Sequence, residues 1–165
     1  LHFAPEHHLM PWIKSLSPSE YVPCDLNPKS KNIEKINIEN IPYPDKYFDF
    51  LIANHVLEHV GDDLRALSEI RRVLSIGGYA ILQTPFSSVL NFTWSDPGIS
   101  TENERLHAYA QEDHARLYGI DIFNRFSSNG LLSRCKTHAE LLNNIECSYY
   151  GVGEKEPFFL FERIE

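Results

Sequence analysis

Residues 48–84 constrain the fold more than any other part of this chain. Phe48 to Ala53 (Phe-Asp-Phe-Leu-Ile-Ala) is a short run rich in apolar side chains, the pattern of a buried strand. Gly61-Asp62-Asp63 then opens a helix with an acidic first turn, and Leu64, Leu67, Ile70, Val73 and Leu74 follow at helical spacing. Arg71 and Arg72 sit near its C-terminal end, and Gly77-Gly78 is expected to stop it. Tyr79 to Thr84 is the next strand, ended by Pro85. Strand, helix and strand in this order form a βαβ unit, which requires a parallel sheet and so an α/β protein.

The flanking segments extend that sheet. Leu1 to Ala4 reads as the end of a buried strand closed by Pro5, and Glu6 to about Leu16 as a short amphipathic stretch interrupted by Pro11. Tyr21 to Cys24 is a second strand running into the turn Asp25-Leu26-Asn27-Pro28. Pro23 places it at a sheet edge or a strand end. Ile33 to Ile38 is a weaker third strand, and Ile41-Pro42-Tyr43-Pro44-Asp45 a rigid loop. Periodicity is lost from Phe86 to about Tyr118, a stretch carrying Phe92, Trp94, Tyr109 and Tyr118, and connections of that size are usually functional. Gly119 to Asn129 reads as a short helix closed by Gly130. Pro157 to Phe161 is a dense apolar strand, with Leu132–Thr137 or Ile145–Tyr149 as its antiparallel neighbour.

Composition narrows the function. With 15 basic against 23 acidic side chains the net charge is −8, which repels phosphate backbones and argues against nucleic acid. No apolar run approaches the roughly 18 residues that cross a bilayer, and no signal-peptide pattern is visible, so no membrane partner is expected. Cys24, Cys135 and Cys147 are odd in number and lack C-x-x-C spacing. They read as buried thiols in a reducing compartment, most simply the cytoplasm. Residue 1 is leucine and opens directly into an apolar strand, so the chain looks cut from something longer or processed.

Open parallel sheets bind ligands beyond the carboxyl ends of their strands. Here those ends carry Ala4-Pro5-Glu6, Asp25, Asn37-Ile38, Asn54-His55 and Gln83-Thr84-Pro85. Asp25 lies 21 residues beyond Ala4, a spacing that suits a carboxylate accepting from two ribose hydroxyls, although a turn-forming role fits it too. There is no G-x-G near residues 3–9, which removes the main support for a dinucleotide site.

The run from Ile36 to Asp45, then Phe48-Asp49, Asn54-His55-Val56-Leu57-Glu58-His59-Val60, Glu69 to Gly78 and Ile81 to Pro85 resembles class I S-adenosylmethionine-dependent methyltransferases, close to their type 11 small-molecule branch. Leu1 to Glu6 and Gln111 to Gly119 resemble a divergent subgroup whose first strand ends in Ala-Pro-Glu. The resemblance implies a Rossmann-like, mostly parallel sheet of order 3214576 with an antiparallel last strand, lacking part of strand 1. It implies a single domain over residues 1–165 with an aromatic-rich insert at about 86–118. S-adenosylmethionine is the implied cofactor: Ala4, Pro5 and Glu6 replace the glycine turn near its methionyl part, Asp25 takes the ribose hydroxyls, Asn37 and Ile38 border the adenine, and Asn54 and His55 line the floor beside the sulfonium. Asn37 stands where the family commonly has Asp.

A methyl on a sulfonium is already activated, so transfer needs proximity, orientation and a dry site, with a base only where the acceptor loses a proton. His114, Asp113 and His55 are the candidates for that role, with a surface position as the plainer reading of His114. His59 reads as packing or capping, and Tyr109 and Tyr118 as either acceptor-pocket walls or core. The acceptor is expected to be a small, partly apolar molecule. A non-catalytic binding module is the alternative. A second is zinc hydrolysis, because His55-Val-Leu-Glu58-His59 matches H-x-x-E-H, with Glu140 as a third carboxylate. That motif belongs inside a long helix, whereas here a strand ends at Asn54 and Gly61 follows, so no metal is expected.

Overall fold

The computed structural model describes residues 1–142 and 146–165. The elements run β1 (His2–Phe3), α1 (Leu9–Ser15), β2 (Pro23–Asp25), β3 (Glu34–Lys35), β4 (Phe48–Ala53), α2 (Asp63–Val73), β5 (Leu74–Ile81), α3 (Glu102–Tyr109), α4 (Ile122–Ser127), β6 (Leu131–Ser133), β7 (Lys136–Thr137), α5 (His138–Leu142), a 3₁₀ turn (Cys147–Tyr150), β8 (Pro157–Phe158) and β9 (Leu160–Arg163). Seven strands form one sheet in the order β3-β2-β1-β4-β5-β9-β6. Pairings from β3 through β5 are parallel, and β9 is antiparallel to both its neighbours. Since β7 and β8, among the described residues, pair only with each other, β9 counts as the seventh strand of the main sheet. The order is therefore 3214576 with the last strand antiparallel, as the resemblance implies.

The core lies where α2 and α4 pack on the sheet. Ala66, Leu67, Ile70 and Val73 of α2 and Ile122 and Phe126 of α4 are fully buried, with Leu51, Leu74, Leu82 and Phe161 from the strand side. Asp62 caps α2 by accepting from the Arg65 N–H at 3.0 Å. Pro11 does not interrupt α1, because it occupies the first turn, where its missing N–H has no intrahelical acceptor to lose. Pro23 is tolerated beside β1 because it is the first residue of β2.

Several expectations need correction. Gly77-Gly78 does not stop α2. The helix ends at Val73 because Leu74 turns extended (φ −71°, ψ 142°), and the chain passes directly into β5. On β4 only Asp49 separates Phe48 from Phe50, yet their partners are Leu74 and Tyr79, so the extra β5 residues form a bulge. Gly77 supplies φ +80° there, and a Cβ on Gly78 would stand 3.0 Å from the Asp49 carbonyl oxygen. Leu64 is 42% exposed, turned off the buried stripe of α2. Residues 86–118 are not wholly irregular, since α3 opens on a capping box in which Thr101 and Glu104 satisfy each other's backbone N–H. The neighbour of β9 is β6. Of the alternative strand over 145–149, Ile145 lies outside the described residues, and Cys147–Tyr150 is a 3₁₀ turn.

Candidate functional site

A cavity of about 380 Å³ opens beyond the carboxyl ends of β1, β2 and β4. Phe3, Leu26, Ile36, Val56 and Val60 give it apolar walls, and Ala4, Asp25, Asn37, Ile38, His55 and His59 add the chemistry. A larger cavity of about 590 Å³ lies elsewhere, between α1 and the strands, lined by Leu9, Trp12, Tyr47 and Phe50. The smaller one sits where strand ends in this topology converge on a ligand.

Two residues at its rim hold strained backbone. Ala4 (φ +43°) ends β1 and His55 (φ +53°) follows β4, both left-handed without being glycine. Each such residue costs of the order of 1–2 kcal/mol, tolerated only where the surroundings dictate it. The Ala4 N–H donates to the Cys24 carbonyl at 2.9 Å, and the His55 N–H to the Gln83 carbonyl at 2.8 Å. Ala4 thus takes the left-handed conformation that a glycine would take at the end of the first strand.

Pro5, Glu6 and Asn54 are not in the cavity lining. Glu6 is held in a chain of hydrogen bonds behind it. Tyr21 Oη lies 2.8 Å from His2 Nδ1, His2 Nε2 lies 2.7 Å from Glu6 Oε2, and Asn54 Nδ2 donates to Glu6 Oε1 at 2.8 Å. Burial lowers the His2 pKa more than Glu6 raises it. Burial pulls the Glu6 carboxyl upward, but bonds from Asn54, its own backbone and His2 leave it below its ordinary value. A neutral His2 donating from Nε2 to an ionised Glu6, and accepting at Nδ1 from Tyr21, gives both ring nitrogens and both Glu6 oxygens a partner. This chain pins the Ala4-Pro5-Glu6 turn to the loop after β4. Sequence reasoning missed it; the one available signal was a histidine inside an otherwise apolar strand.

Asp25 and Asn37 are both partly engaged in turns. Asp25 Oδ1 accepts from the Asn27 N–H at 2.7 Å, leaving Oδ2 for a ligand. Asn37 Oδ1 accepts from the Glu39 N–H at 2.9 Å, leaving one lone pair and the amide NH₂. Ile38 is buried beneath the cavity. These groups fit the nucleoside half of S-adenosylmethionine, with a carboxylate oxygen for a ribose hydroxyl and apolar side chains for a purine. The half that would face Ala4 has no glycine turn.

The loop 54–61 meets the segment 113–118. The Ala115 N–H donates to the Glu58 carbonyl at 2.8 Å, Arg116 donates to the Leu57 and Gly61 carbonyls at 2.7 and 2.9 Å, and the Tyr118 hydroxyl reaches the Leu57 carbonyl at 3.2 Å. His114, whose alternative reading was a surface position, is buried, with its ring edge-on to His59 at a centroid distance of 4.9 Å. Burial, and then His59, hold its pKa below the ordinary histidine value against Asp113 and a bond to the Tyr109 backbone. Asp113 is exposed at the rim, its carboxylate 3.3 Å from His59 Nδ1. The side chain of His55 is 66% exposed and lines the cavity, with Nδ1 3.5 Å from Glu58 Oε1. Glu58 is buried, which pushes its carboxyl above the usual range although its own backbone, His59 and His55 pull the other way.

His55, Glu58 and His59 lie in turns, so the helical geometry that H-x-x-E-H chemistry needs is absent. Glu140 is taken up at the start of α5, accepting from the Thr137 N–H and hydroxyl at 2.7 and 2.8 Å. Tyr109 and Tyr118 are core residues rather than pocket walls: Tyr109 Oη accepts from the Asp96 N–H at 2.8 Å, and Tyr118 Oη binds Asp63 at 2.8 Å.

Residues 11–82 match a family model described as a methyltransferase domain, and the sheet order already stated is that of its Rossmann-like members. The chain has the class I methyltransferase fold. YcgJ of Bacillus subtilis aligns over 99% of this chain and 91% of its own at a TM-score of 0.60 and 15% identity. An S-adenosylmethionine-dependent methyltransferase of Mesorhizobium loti aligns over 93% and 83% at 0.57, again with 15% identity. A Haloferax volcanii methyltransferase, solved in complex with the Trm112 methyltransferase activator, aligns over 84% of this chain at 0.51 and 11% identity, and here the chain spans 65% of the other's length. At these identities the solved structures establish the methyltransferase fold and no more. No curated protein sequence matches the chain. Among the described residues no helix is long and apolar enough to cross a membrane.

Proposed function

We propose that the chain is an S-adenosylmethionine-dependent methyltransferase acting on a small, partly apolar molecule by in-line methyl transfer. The observation that carries this reading is the cavity beyond β1, β2 and β4, whose lining includes both Asp25, with its Oδ2 outside the turn bond to Asn27, and the strained Ala4. The cofactor supplies an activated methyl group. Asp25 binds its ribose, Asn37 and Ile38 border its adenine, and Ala4 and Pro5 turn the backbone past its methionyl part. Glu6 and Asn54 support that turn from behind. His55, exposed on the cavity wall, takes the acceptor proton where the acceptor has one to lose, while Asp113 and His114 fix His59 beside it.

The charge of −8 supports a small acceptor over a nucleic acid. The free thiols of Cys24, Cys135 and Cys147 support a reducing, cytoplasmic setting. Burial pushes the Cys24 thiol up to about 12, so it is inert there.

Calorimetry with S-adenosylmethionine and S-adenosylhomocysteine tests the reading. One molar equivalent of each should bind, in competition with the other. Absence of binding by either would overturn it in favour of a non-catalytic module.

A further inference from the structure

We propose that Glu58, His59 and His114 form a binding site for a divalent transition metal of the zinc type, open to the cofactor cavity. One ligand atom from each lies within 4.8 Å of the others. A tetrahedral centre with bonds of about 2.0–2.1 Å needs these atoms roughly 3.4 Å apart, a contraction within reach of small side-chain rotations. Two imidazoles and a carboxylate are a recurrent donor set for such ions and leave coordination positions free.

An independent observation points the same way. Glu58 is 1% exposed, and its Oε2 has no hydrogen-bond partner among the described residues, although Oε1 lies 3.5 Å from His55 Nδ1. A buried carboxylate oxygen left unpaired is costly, and a cation is the partner that removes the cost. His59 is already oriented for ligation. Its Nδ1 lies 3.3 Å from both the carbonyl oxygen and the Oδ2 of Asp113, which leaves Nε2 as the free nitrogen. The bonds from Ala115 and Arg116 to residues 57–61 bring the two halves of the site together before any ion arrives. His59 also lines the cavity, so the site borders it. The H-x-x-E-H motif thus contributes its second and third members, and His114, 55 residues further on, stands in for the first.

Resting on the methyltransferase reading, the site assigns the acceptor a hydroxyl group. The metal binds that oxygen and lowers its pKa, and His55 removes its proton. The C–O bond then forms as the C–S bond of the sulfonium breaks, its electron pair staying on sulfur.

The test uses untagged, chelator-treated protein and Zn²⁺ alone, with Co²⁺ absorption as a geometric check. One Zn²⁺ per chain should bind. Glu58→Gln and His114→Gln, verified as folded by circular dichroism, should abolish stoichiometric binding. Asp113→Ala, which removes one partner of His59, should weaken it by about ten- to a hundredfold. The double variant His7→Ala/His8→Ala, altering the exposed pair near α1, should bind as the parent does. No stoichiometric binding, or binding indifferent to Glu58→Gln and His114→Gln, would overturn the site. Cofactor calorimetry on the same samples separates the two readings: a chain that binds cofactor without metal refutes the metal site alone, and the reverse refutes the methyltransferase.

Discussion

Replacing Asp63 by alanine tests whether one buried carboxylate holds the two halves of the candidate site together. Its side chain is 3% exposed in the first turn of α2 and accepts from Arg125 Nε at 2.6 Å, Arg125 Nη2 at 2.7 Å and Tyr118 Oη at 2.8 Å, with Arg116 Nε at 3.9 Å. Hydrogen bonds to a charged group are each worth about 1.5–3 kcal/mol, and desolvation of the carboxylate offsets much of their total. Truncation leaves Arg116 buried without its counter-charge and Tyr118 with only the longer bond to the Leu57 carbonyl, and removing one partner of a buried pair costs about 3–5 kcal/mol. At a urea slope of about 2 kcal/mol/M the unfolding midpoint should fall by roughly 1.5–2.5 M. Asp63→Asn, which keeps one acceptor, should lose about half of that. The pH dependence supplies a second reading. Burial alone would raise the Asp63 carboxyl, but Arg125, Arg116 and Tyr118 hold it below its ordinary 3.8. Its contribution is therefore complete above that value and is lost as pH falls through the lower folded-state value. Wild-type and Asp63→Asn stabilities should converge in that acid range. A midpoint shift equivalent to less than about 1 kcal/mol for Asp63→Ala, or parallel pH profiles, would refute the reasoning.

Other outcomes follow from single contacts. Asp25→Ala should weaken S-adenosylmethionine binding about five- to a hundredfold by calorimetry, the loss of a charge-assisted hydrogen bond worth about 1–3 kcal/mol, with only a small fall in thermal midpoint from the exposed turn bond to Asn27. A Cβ on Gly119 would stand 2.7 Å from the Leu90 carbonyl oxygen and 2.7 Å from the Phe92 carbonyl carbon, both backbone atoms. Gly119→Ala should cost about 1–3 kcal/mol and lower the melting temperature by several degrees. Thr101→Ala removes half of the α3 capping box and should cost about 1 kcal/mol, read as faster amide exchange across 102–109.

The sheet was legible because its strands are short apolar runs whose ends carry turn residues; β4 matches its expected limits, and α2 its expected start. What failed did so for identifiable reasons. Gly77-Gly78 after a helical pattern reads as a C-terminal stop, yet it serves a bulge whose need arises only when β5 is laid against β4. Leu64 fits the spacing of α2 when taken with Leu67 alone, but the stripe through Ala66, Ile70 and Val73 leaves it outside. Helix α3 carries few buried residues, so only its capping box could have revealed it. Tyr109 and Tyr118 look like pocket aromatics by composition, whereas hydroxyl bonds to Asp96 and Asp63 fix them in the core.

The strand-end rule found the cavity but not the cluster beside it, and the difference is one of range. Ala4, Asp25, Asn37 and His55 follow from topology alone, since each stands at the end of a strand or in the loop after it and the sheet order brings those ends together. His114 follows from no periodic pattern. It reaches Glu58 and His59 because Ala115 and Arg116 bond to the carbonyls of 57, 58 and 61, and because Asp63 draws in Tyr118 and Arg125 from more than 50 residues away. Six polar side chains of that assembly would be unfavourable if left unpaired, and three of them (Asp63, Tyr118 and Arg125) satisfy one another. Glu58, His59 and His114 are the remainder. The same packing that neutralises one buried carboxylate leaves the other with an unpaired oxygen beside two imidazoles, which is why a cation accounts for this corner of the fold better than packing does.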